Sequence, residues 1–119
     1  MAVSNKDRIG KALDEVRDAL LPYISKELEA NEGIDWKNSL PLESNNLQDI
    51  SVLLRLFMKN WKFIFKKLHS DSDRAYVSEL LDARNKWAHS APMSSDDVER
   101  YLDTAIRLCK NIKSKAQAE

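Results

Sequence analysis

The chain has few of the residues that usually mark a disulfide framework, a metal centre or a β-rich fold. Its 119 residues include one cysteine, Cys109, two histidines, His69 and His89, two glycines and three prolines. A lone cysteine excludes an intramolecular disulfide, and with two separated histidines it does not supply the usual ligand set of zinc. No apolar run approaches the roughly 20 residues that span a bilayer. These absences favour a soluble, cytoplasmic protein without a metal or other cofactor.

Charge of one sign is not in excess, because 19 basic side chains balance 19 acidic ones. The field of the whole molecule therefore gives no general attraction to nucleic acid or to an anionic membrane. Any such binding has to come from a local patch. The scarcity of glycine, proline and β-branched runs favours helices, and the length fits a single domain over residues 1–119.

Apolar residues recur at three- and four-residue steps in four segments, which predicts four amphipathic helices. Such helices with mostly short links bury their apolar stripes against one another, so we expect an all-α fold, an antiparallel four-helix bundle. The connection between the first two helices is long, and Trp36 should pin it to the bundle. The four predicted helices cover about residues 5–29, 46–68, 70–89 and 95–113.

Local signals refine these boundaries. Pro22 predicts a kink or two abutting helices in the first segment, because proline removes a backbone donor and clashes with the preceding turn. The run "HSDSD" over 69–73 offers N-cap oxygens for the third helix, and Ser94 with Asp97 resembles a capping box for the fourth. The tail over 114–119 has little to bury and should fray.

Arg84, in the stretch "ARNKWAH", falls in the middle of the apolar stripe of the third helix. An unpaired guanidinium there is unfavourable, so it needs a partner. One explanation is an internal salt bridge, or hydrogen bonds to helix-end carbonyls. The other is a cleft or a second subunit, where the arginine would bind an anion such as phosphate.

His89 lies five residues after Arg84, and on a regular helix the two side chains do not share a face. They converge if the helix loosens before "SAP", or if a two-fold partner brings a second copy opposite. The plain alternative is a histidine favoured by the helix dipole at a C-terminus. Cys109, inside an apolar stripe, is interpreted as a buried thiol rather than a nucleophile.

A one-sided series of basic residues follows the second predicted helix, in a segment from 55 to 69 without a carboxylate. Phosphates could lie along it, although a solvated helix face is the simpler interpretation. Lys86 and Trp87, inside the "ARNKWAH" stretch, are further candidates for RNA contact, the indole as a border to a stacking surface. The basic series consists of Arg55, Lys59, Lys62 and Lys66.

The run "RNKWAH" resembles the R-x4-H motif of the HEPN superfamily, with the polar Asn85 after the arginine. The surroundings are similar to the Swt-one-like branch of HEPN domains, through "LLPYISKELEA", "NNLQDISVLLRLFMKNWKFIF", "YVSELLDARNKWAHS" and "SSDDVERYLDTAIRLC". This similarity covers nearly the whole chain, in order. It implies a helical bundle that dimerises, with the two motif copies in a shared cleft.

Many HEPN proteins are metal-independent ribonucleases in toxin, antiphage or RNA-surveillance systems. Carried onto this chain, the resemblance implies that His89 transfers protons, that Arg84 contacts the phosphate and that Asn85 is an orienting hydrogen-bond partner. It also implies RNA and a second copy of the chain as partners, with a larger effector or an antitoxin as a further one. Some HEPN domains are instead non-catalytic modules for RNA or protein binding, which is the competing hypothesis. A purely structural bundle with Arg84 paired internally is a third hypothesis.

Overall fold

The computed structural model describes residues 4–118, and that part of the chain is helical without a strand. Two short 3-10 turns, Trp36–Ser39 and Leu42–Ser44, lie in the connection after the first helix, and a π-helical turn, Trp61–Phe65, follows the second. The all-α prediction is confirmed. The four α-helices are α1 (Asn5–Glu32), α2 (Ile50–Lys59), α3 (Asp71–Ala88) and α4 (Ser95–Ala118).

A side-chain oxygen caps the start of each α-helix and satisfies a backbone donor that the helix leaves free. Ser4 accepts from the Asp7 amide at 3.1 Å, and Ser94 accepts from the Asp97 amide at 3.0 Å. Ser70 caps α3, and Asp49 caps α2. The predicted caps of α3 and α4 are confirmed.

The helices pack as a bundle, and α3 is antiparallel to the helices beside it. Asn111, late in α4, donates to Asp73 in the first turn of α3 at 2.7 Å, so these two helices are antiparallel. Arg8 and Glu99 pair at 3.0 Å near the starts of α1 and α4, so these two run in the same direction. Short links predict the antiparallel pairs correctly, whereas the direction of α1 depends on the long connection.

The long connection runs from the end of α1 back toward the start of that helix, so α1 and α2 also run in the same direction. Leu13 and Ile50, each in the first half of its helix, line one cavity. Later in α1, the ring centroid of Tyr23 lies 6.1 Å from that of Phe65, which follows α2. Trp36 is 4% exposed and attaches the connection to α1, as predicted. The chain thus brings the start of α2 beside the first half of α1.

Helix α1 continues without a break across Pro22, so the alternative of two abutting helices is wrong. The residues around it are buried, among them Leu20, Tyr23 and Ile24. Packing of this face holds the helix together where the proline removes one backbone hydrogen bond.

The predicted continuous helix over 46–68 is wrong, because α2 begins at Ile50 and ends at Lys59. The Asn60 side chain bonds back to the Leu56 carbonyl at 2.9 Å, and the amide of Phe65 bonds to the carbonyl of Asn60, five residues earlier. This wider turn buries Phe65 completely and stacks it on Phe57, with ring centroids 4.7 Å apart. Aromatic packing therefore overrides the regular period.

Helix α4 buries a face slightly rotated from the predicted one. Ile106 is 66% exposed, whereas Leu108, outside the predicted stripe, is fully buried. The spacing of apolar residues predicts a stripe of Val98, Tyr101, Leu102, Ala105, Ile106, Cys109 and Ile112. The helix continues to Ala118, with residues 113–117 exposed. Fraying of the last residues stays a prediction, and residue 119 lies outside the described part of the chain.

Candidate functional site

Arg84 lies near the C-terminal end of α3, at the edge of the face that packs into the bundle. Val77, Leu80 and Ala83 of that face are buried, whereas the Arg84 side chain remains 23% exposed. Its Nη2 donates to both carboxylate oxygens of Asp49, at 3.2 and 3.4 Å. The internal salt bridge, one of the two explanations for an arginine here, is therefore present.

Asp49 links the motif arginine to the start of α2. As the N-cap it accepts from the backbone amide of Ser51 at 2.9 Å and from the Ser51 hydroxyl at 2.8 Å. Burial alone raises the pKa of the Asp49 carboxyl, but the bonds from Ser51 and the charges of Arg84 and Arg55 bring it below the ordinary 3.8. The carboxylate therefore stays ionised and orients the guanidinium from a fixed helix end.

Two cavities meet at Arg84. One, of about 330 Å³, lies between α2 and the connection before it, and the other, of about 290 Å³, lies between the start of α2 and α1. Both are lined by Arg84 and Asp49. A guanidinium has five N–H donors, and the pair with Asp49 uses Nη2 alone. Arg84 is thus both internally paired and accessible from two sides.

His89 and Asn85 point to solvent on a different side of α3. The helix closes tightly after His89, because the Ser90 amide bonds to the Trp87 carbonyl at 3.2 Å and the Ala91 amide to the Lys86 carbonyl at 2.9 Å. This pattern is a Schellman motif, with Ser90 at φ +52° where glycine is usual. The helix end is closed rather than loosened.

Because the helix stays regular, the directions of Arg84 and His89 differ by about 140° around its axis. The structure therefore places Arg84 against α2 and leaves Asn85 and His89 exposed. Regular helix geometry thus directs the two ends of the motif to different sides, and no bond joins Arg84 to His89 among residues 4–118. Of the two routes to convergence, the one within a single helix is wrong.

Lys86 and Trp87, between the motif residues, are engaged inside the chain. Lys86 Nζ donates to the Tyr101 hydroxyl at 3.0 Å and pairs with Asp82 at 3.3 Å, and the Tyr101 hydroxyl donates to Asp82 at 2.6 Å. The Tyr101 bond and then the Asp82 bond raise the pKa of Lys86. Trp87 is half-buried and packs against Gly10, where a Cβ would lie 3.0 Å from the indole nitrogen. Their roles toward RNA stay predictions.

The four residues of the basic series are exposed, but the break after Lys59 divides them. Arg55 and Lys59 line the 330 Å³ cavity together with Arg84. Lys62 lies in the π-helical turn, with Nζ 5.4 Å from the Phe63 ring centroid, and Lys66 follows that turn. The structure thus brings the first two residues to the motif arginine and leaves the other two outside this cavity.

Comparison with protein families agrees with this architecture and motif. The model described as Swt1-like HEPN matches residues 11–113, which include the described helices in large part and the whole motif from Arg84 to His89. The chain belongs to the Swt1-like HEPN family. Searches against curated proteins and against solved structures found no match. The resemblance inferred from the sequence is thereby confirmed at the level of the family.

The second histidine of this HEPN domain, His69, belongs to a buried chain of hydrogen bonds that sequence reasoning missed. Its Nε2 lies 2.7 Å from the Tyr23 hydroxyl and its Nδ1 lies 2.8 Å from Asp73 Oδ2, while Asn111 donates to Asp73 Oδ1. Burial lowers the pKa of His69, and the adjacent Asp73 opposes that shift. The spacing His69 to Asp73, one helical turn, is the signal that could have revealed this pair.

Cys109 and the acidic side chains do not add a reactive centre within residues 4–118. Cys109 is half-buried, and burial raises the pKa of its thiol, which disfavours the reactive thiolate. Within residues 4–118, no group of three or more His, Cys, Asp or Glu side chains could hold a metal ion. Over the same residues, no helix combines the length and apolar character needed to cross a bilayer.

Asp49 is the site residue that the sequence prediction omitted. The run "DISVLL" did contain its signal, because an aspartate directly before an apolar helix is a typical N-cap. Its pairing with Arg84, 35 positions later, depends on the packing of α2 against α3 and has no local signature.

Proposed function

We propose that this HEPN domain is a metal-independent endoribonuclease whose active site is completed by a second copy of the chain. One observation carries the proposal: Asp49 holds Arg84 at the wall of two cavities, while His89 on the same helix end is exposed and free of side-chain partners among residues 4–118. A positioned cation and an accessible imidazole are the two groups that RNA cleavage needs.

The chemistry uses the nucleophile that RNA carries. His89 takes the proton of a ribose 2′-hydroxyl, the oxygen bonds to the adjacent phosphorus, and the bond from phosphorus to the 5′-oxygen breaks. A histidine returns a proton to that leaving oxygen, so the products are a 2′,3′-cyclic phosphate and a 5′-hydroxyl. Arg84 stabilises the charge that gathers on the phosphorus oxygens, and Asn85 orients the reacting groups by hydrogen bonding.

A second copy of the chain, related by a two-fold axis, brings an arginine and a histidine to the same phosphate. Arg84 and His89 diverge by about 140° on a regular helix, so each copy offers an arginine and a histidine that one phosphate does not reach together. A second α3 end facing the first would place both types of group around one cleft, as closed two-fold symmetry allows. We place this dimer in a cytoplasmic toxin, antiphage or RNA-surveillance system, under the control of a larger effector or an antitoxin.

The decisive experiment incubates the purified chain with end-labelled RNA in excess EDTA, beside His89→Ala. His89 is exposed, so the variant should fold and dimerise like the wild type. We expect cleavage by the wild type alone, with 2′,3′-cyclic phosphate ends and a loss of roughly a hundredfold or more in the variant. Activity that requires added metal, or a wild type that is strictly monomeric at micromolar concentration while active, would contradict the proposal.

A second candidate is a non-catalytic module that binds RNA or a protein. The observation that favours it is the pairing of both motif cations, Arg84 with Asp49 and Lys86 with Asp82, before any ligand arrives. Intact RNA after incubation with a folded, dimeric wild type, together with measurable RNA affinity, would select this candidate.

A further inference from the structure

The cavity beside Arg84 combines cations and apolar walls in one place. Its volume is about 330 Å³, within the range of small-molecule sites. One wall is α2, and the opposite wall is the connection before α2, shaped by the 3-10 turns that end near Leu40 and Ser44. Trp36, buried on α1, anchors that connection, so the wall is attached to the bundle.

The charges around the cavity favour an anion. Three cations, Arg55, Lys59 and Arg84, face two carboxylates, Glu43 and Asp49. Asp49 is already bonded to Ser51 and paired with Arg84, and the cations that line the cavity outnumber the carboxylates by one. Within residues 4–118, Arg55 and Lys59 form no ion pair, and both side chains are exposed. Two accessible cations thus stand one helical turn apart at the rim.

The cavity also has apolar walls on two sides. The buried Val52 and Leu56 form the α2 side, and Leu40 with Pro41 forms the opposite side. Ser44 adds one hydroxyl. Apolar side chains on both sides, together with the Ser44 hydroxyl, suit the face and edge of an aromatic ring, and the cations suit the phosphates on either side.

We infer that this cavity is a nucleotide subsite that takes one unpaired base of single-stranded RNA next to the cleaved phosphate. The inference rests on the proposed function, because Arg84 lines this cavity and is also the residue proposed to contact the cleaved phosphate. Arg55 and Lys59 hold the neighbouring phosphates, and the base enters between Leu56 and Leu40. A base inside a duplex stays stacked and paired, so the site selects unpaired RNA.

The test measures affinity without cleavage, by fluorescence anisotropy of an RNA about ten nucleotides long that carries 2′-O-methyl groups. Lys59→Glu is compared with Lys67→Glu, which makes the same charge change at an exposed lysine outside the cavity. We expect roughly tenfold weaker binding and a smaller salt dependence for the first, and little change for the second. Lys62→Glu separates the cavity from the longer basic series, since its loss should be clearly smaller.

A second pair of variants tests the base rather than the phosphate. Ser44→Trp fills the cavity from the connection, whereas Leu42→Trp adds the same ring at a site on that connection that is 88% exposed and outside the cavity. We expect Ser44→Trp to abolish the preference for single-stranded RNA over a duplex of the same sequence. Leu42→Trp should keep that preference.

Several results would overturn the inference: equal losses for Lys59→Glu and Lys62→Glu, equal affinity of the wild type for duplex and single strand, an unchanged preference in Ser44→Trp, or no RNA binding. These outcomes are distinct from failure of the proposed function. A wild type that binds single strands as expected but leaves unmodified RNA intact refutes the ribonuclease and keeps the subsite. A wild type that cleaves RNA but responds equally to Lys59→Glu and Lys62→Glu refutes the subsite alone.

Discussion

The two histidines of the chain lie near opposite ends of α3 and have opposite environments. The His69 side chain is fully buried, and both ring nitrogens have partners, Tyr23 and Asp73. His89 is exposed, and its recorded bonds are those of its backbone at the helix end. A buried polar group without partners is unfavourable, so His69 must find them inside the fold, whereas His89 keeps its ring available to a ligand or a second chain.

The difference separates a structural end of the molecule from a functional one. At the first end, Tyr23, His69, Asp73 and Asn111 join α1, the loop before α3, α3 and α4 in one bonded chain. At the other end, Asp49 fixes Arg84 and Lys86 is bonded within the chain, whereas the His89 side chain is exposed. Removal of groups at the two ends should therefore affect different properties.

The largest expected effect on stability comes from His69→Ala. The variant leaves the buried Asp73 carboxylate without its imidazole donor and removes an acceptor from Tyr23, which should lower the free energy of unfolding by about 3 kcal/mol. His89→Ala, the control, should change it by less than about 0.5 kcal/mol because its ring is exposed. Urea unfolding at neutral pH and one fixed protein concentration measures both. Similar losses in the two variants would remove the distinction between the ends.

A second prediction separates the two roles of Asp49 with two substitutions. Asparagine caps helices as well as aspartate does, so Asp49→Asn should retain stability within about 0.5 kcal/mol, whereas Asp49→Ala should lose about 1 kcal/mol. Both variants release Arg84 from its ionic partner. We therefore expect both to lower kcat about tenfold or more with little change in KM, since Asp49 positions a group that acts in the transition state.

Steady-state cleavage assays with unfolding curves on the same samples measure these effects. Asp103→Asn is the matched control, because it removes an exposed carboxylate that pairs with Arg107, and neither of these residues lines either cavity. If activity follows stability, falling in Asp49→Ala but not in Asp49→Asn, then Asp49 acts as a cap and does not position the arginine.

The periodic spacing of apolar residues predicted four helical segments, and residue type predicted the cap at Ser94, because these features depend on local bonds and on burial of one stripe. It did not predict the π-helical turn, since the burial of Phe65 depends on stacking against Phe57 within the folded bundle. On a regular wheel Phe65 lies near the edge of the stripe, and only the wider turn brings it into the core.

The candidate site also has one part that the sequence predicts and another that depends on the folded bundle. Arg84 stood out because a charge in an apolar stripe requires a partner, and that requirement is local. The identity of the partner, Asp49, depends on how α2 packs against α3, which no local pattern in the sequence specifies. The closure of the helix after His89 was also not predictable from residue type, since Ser90 adopts a conformation that usually belongs to glycine.

The smallest expected effect is a pH dependence of stability that arises at His69. Its pKa in the folded chain is lower than the ordinary 6.5, because burial disfavours the imidazolium more than Asp73 favours it, and the charge of Lys115 adds to the shift. Well above pH 6.5 the ring is neutral in both states and its contribution to stability is complete. Below that pH the unfolded chain binds the proton first, so the free energy of unfolding should fall toward the pKa of the folded state.

The comparison that isolates this effect is wild type against His69→Gln, unfolded in urea at a series of pH values from neutral to mildly acidic. The difference in the free energy of unfolding between the two proteins should shrink as the pH falls below 6.5, because glutamine does not titrate. Asp49 and Asp82, whose pKa values lie below 3.8, lose their contributions only in a more acidic range, so they do not mask it. A difference that grows on acidification would mean that Asp73 dominates over burial and that His69 is held as a cation.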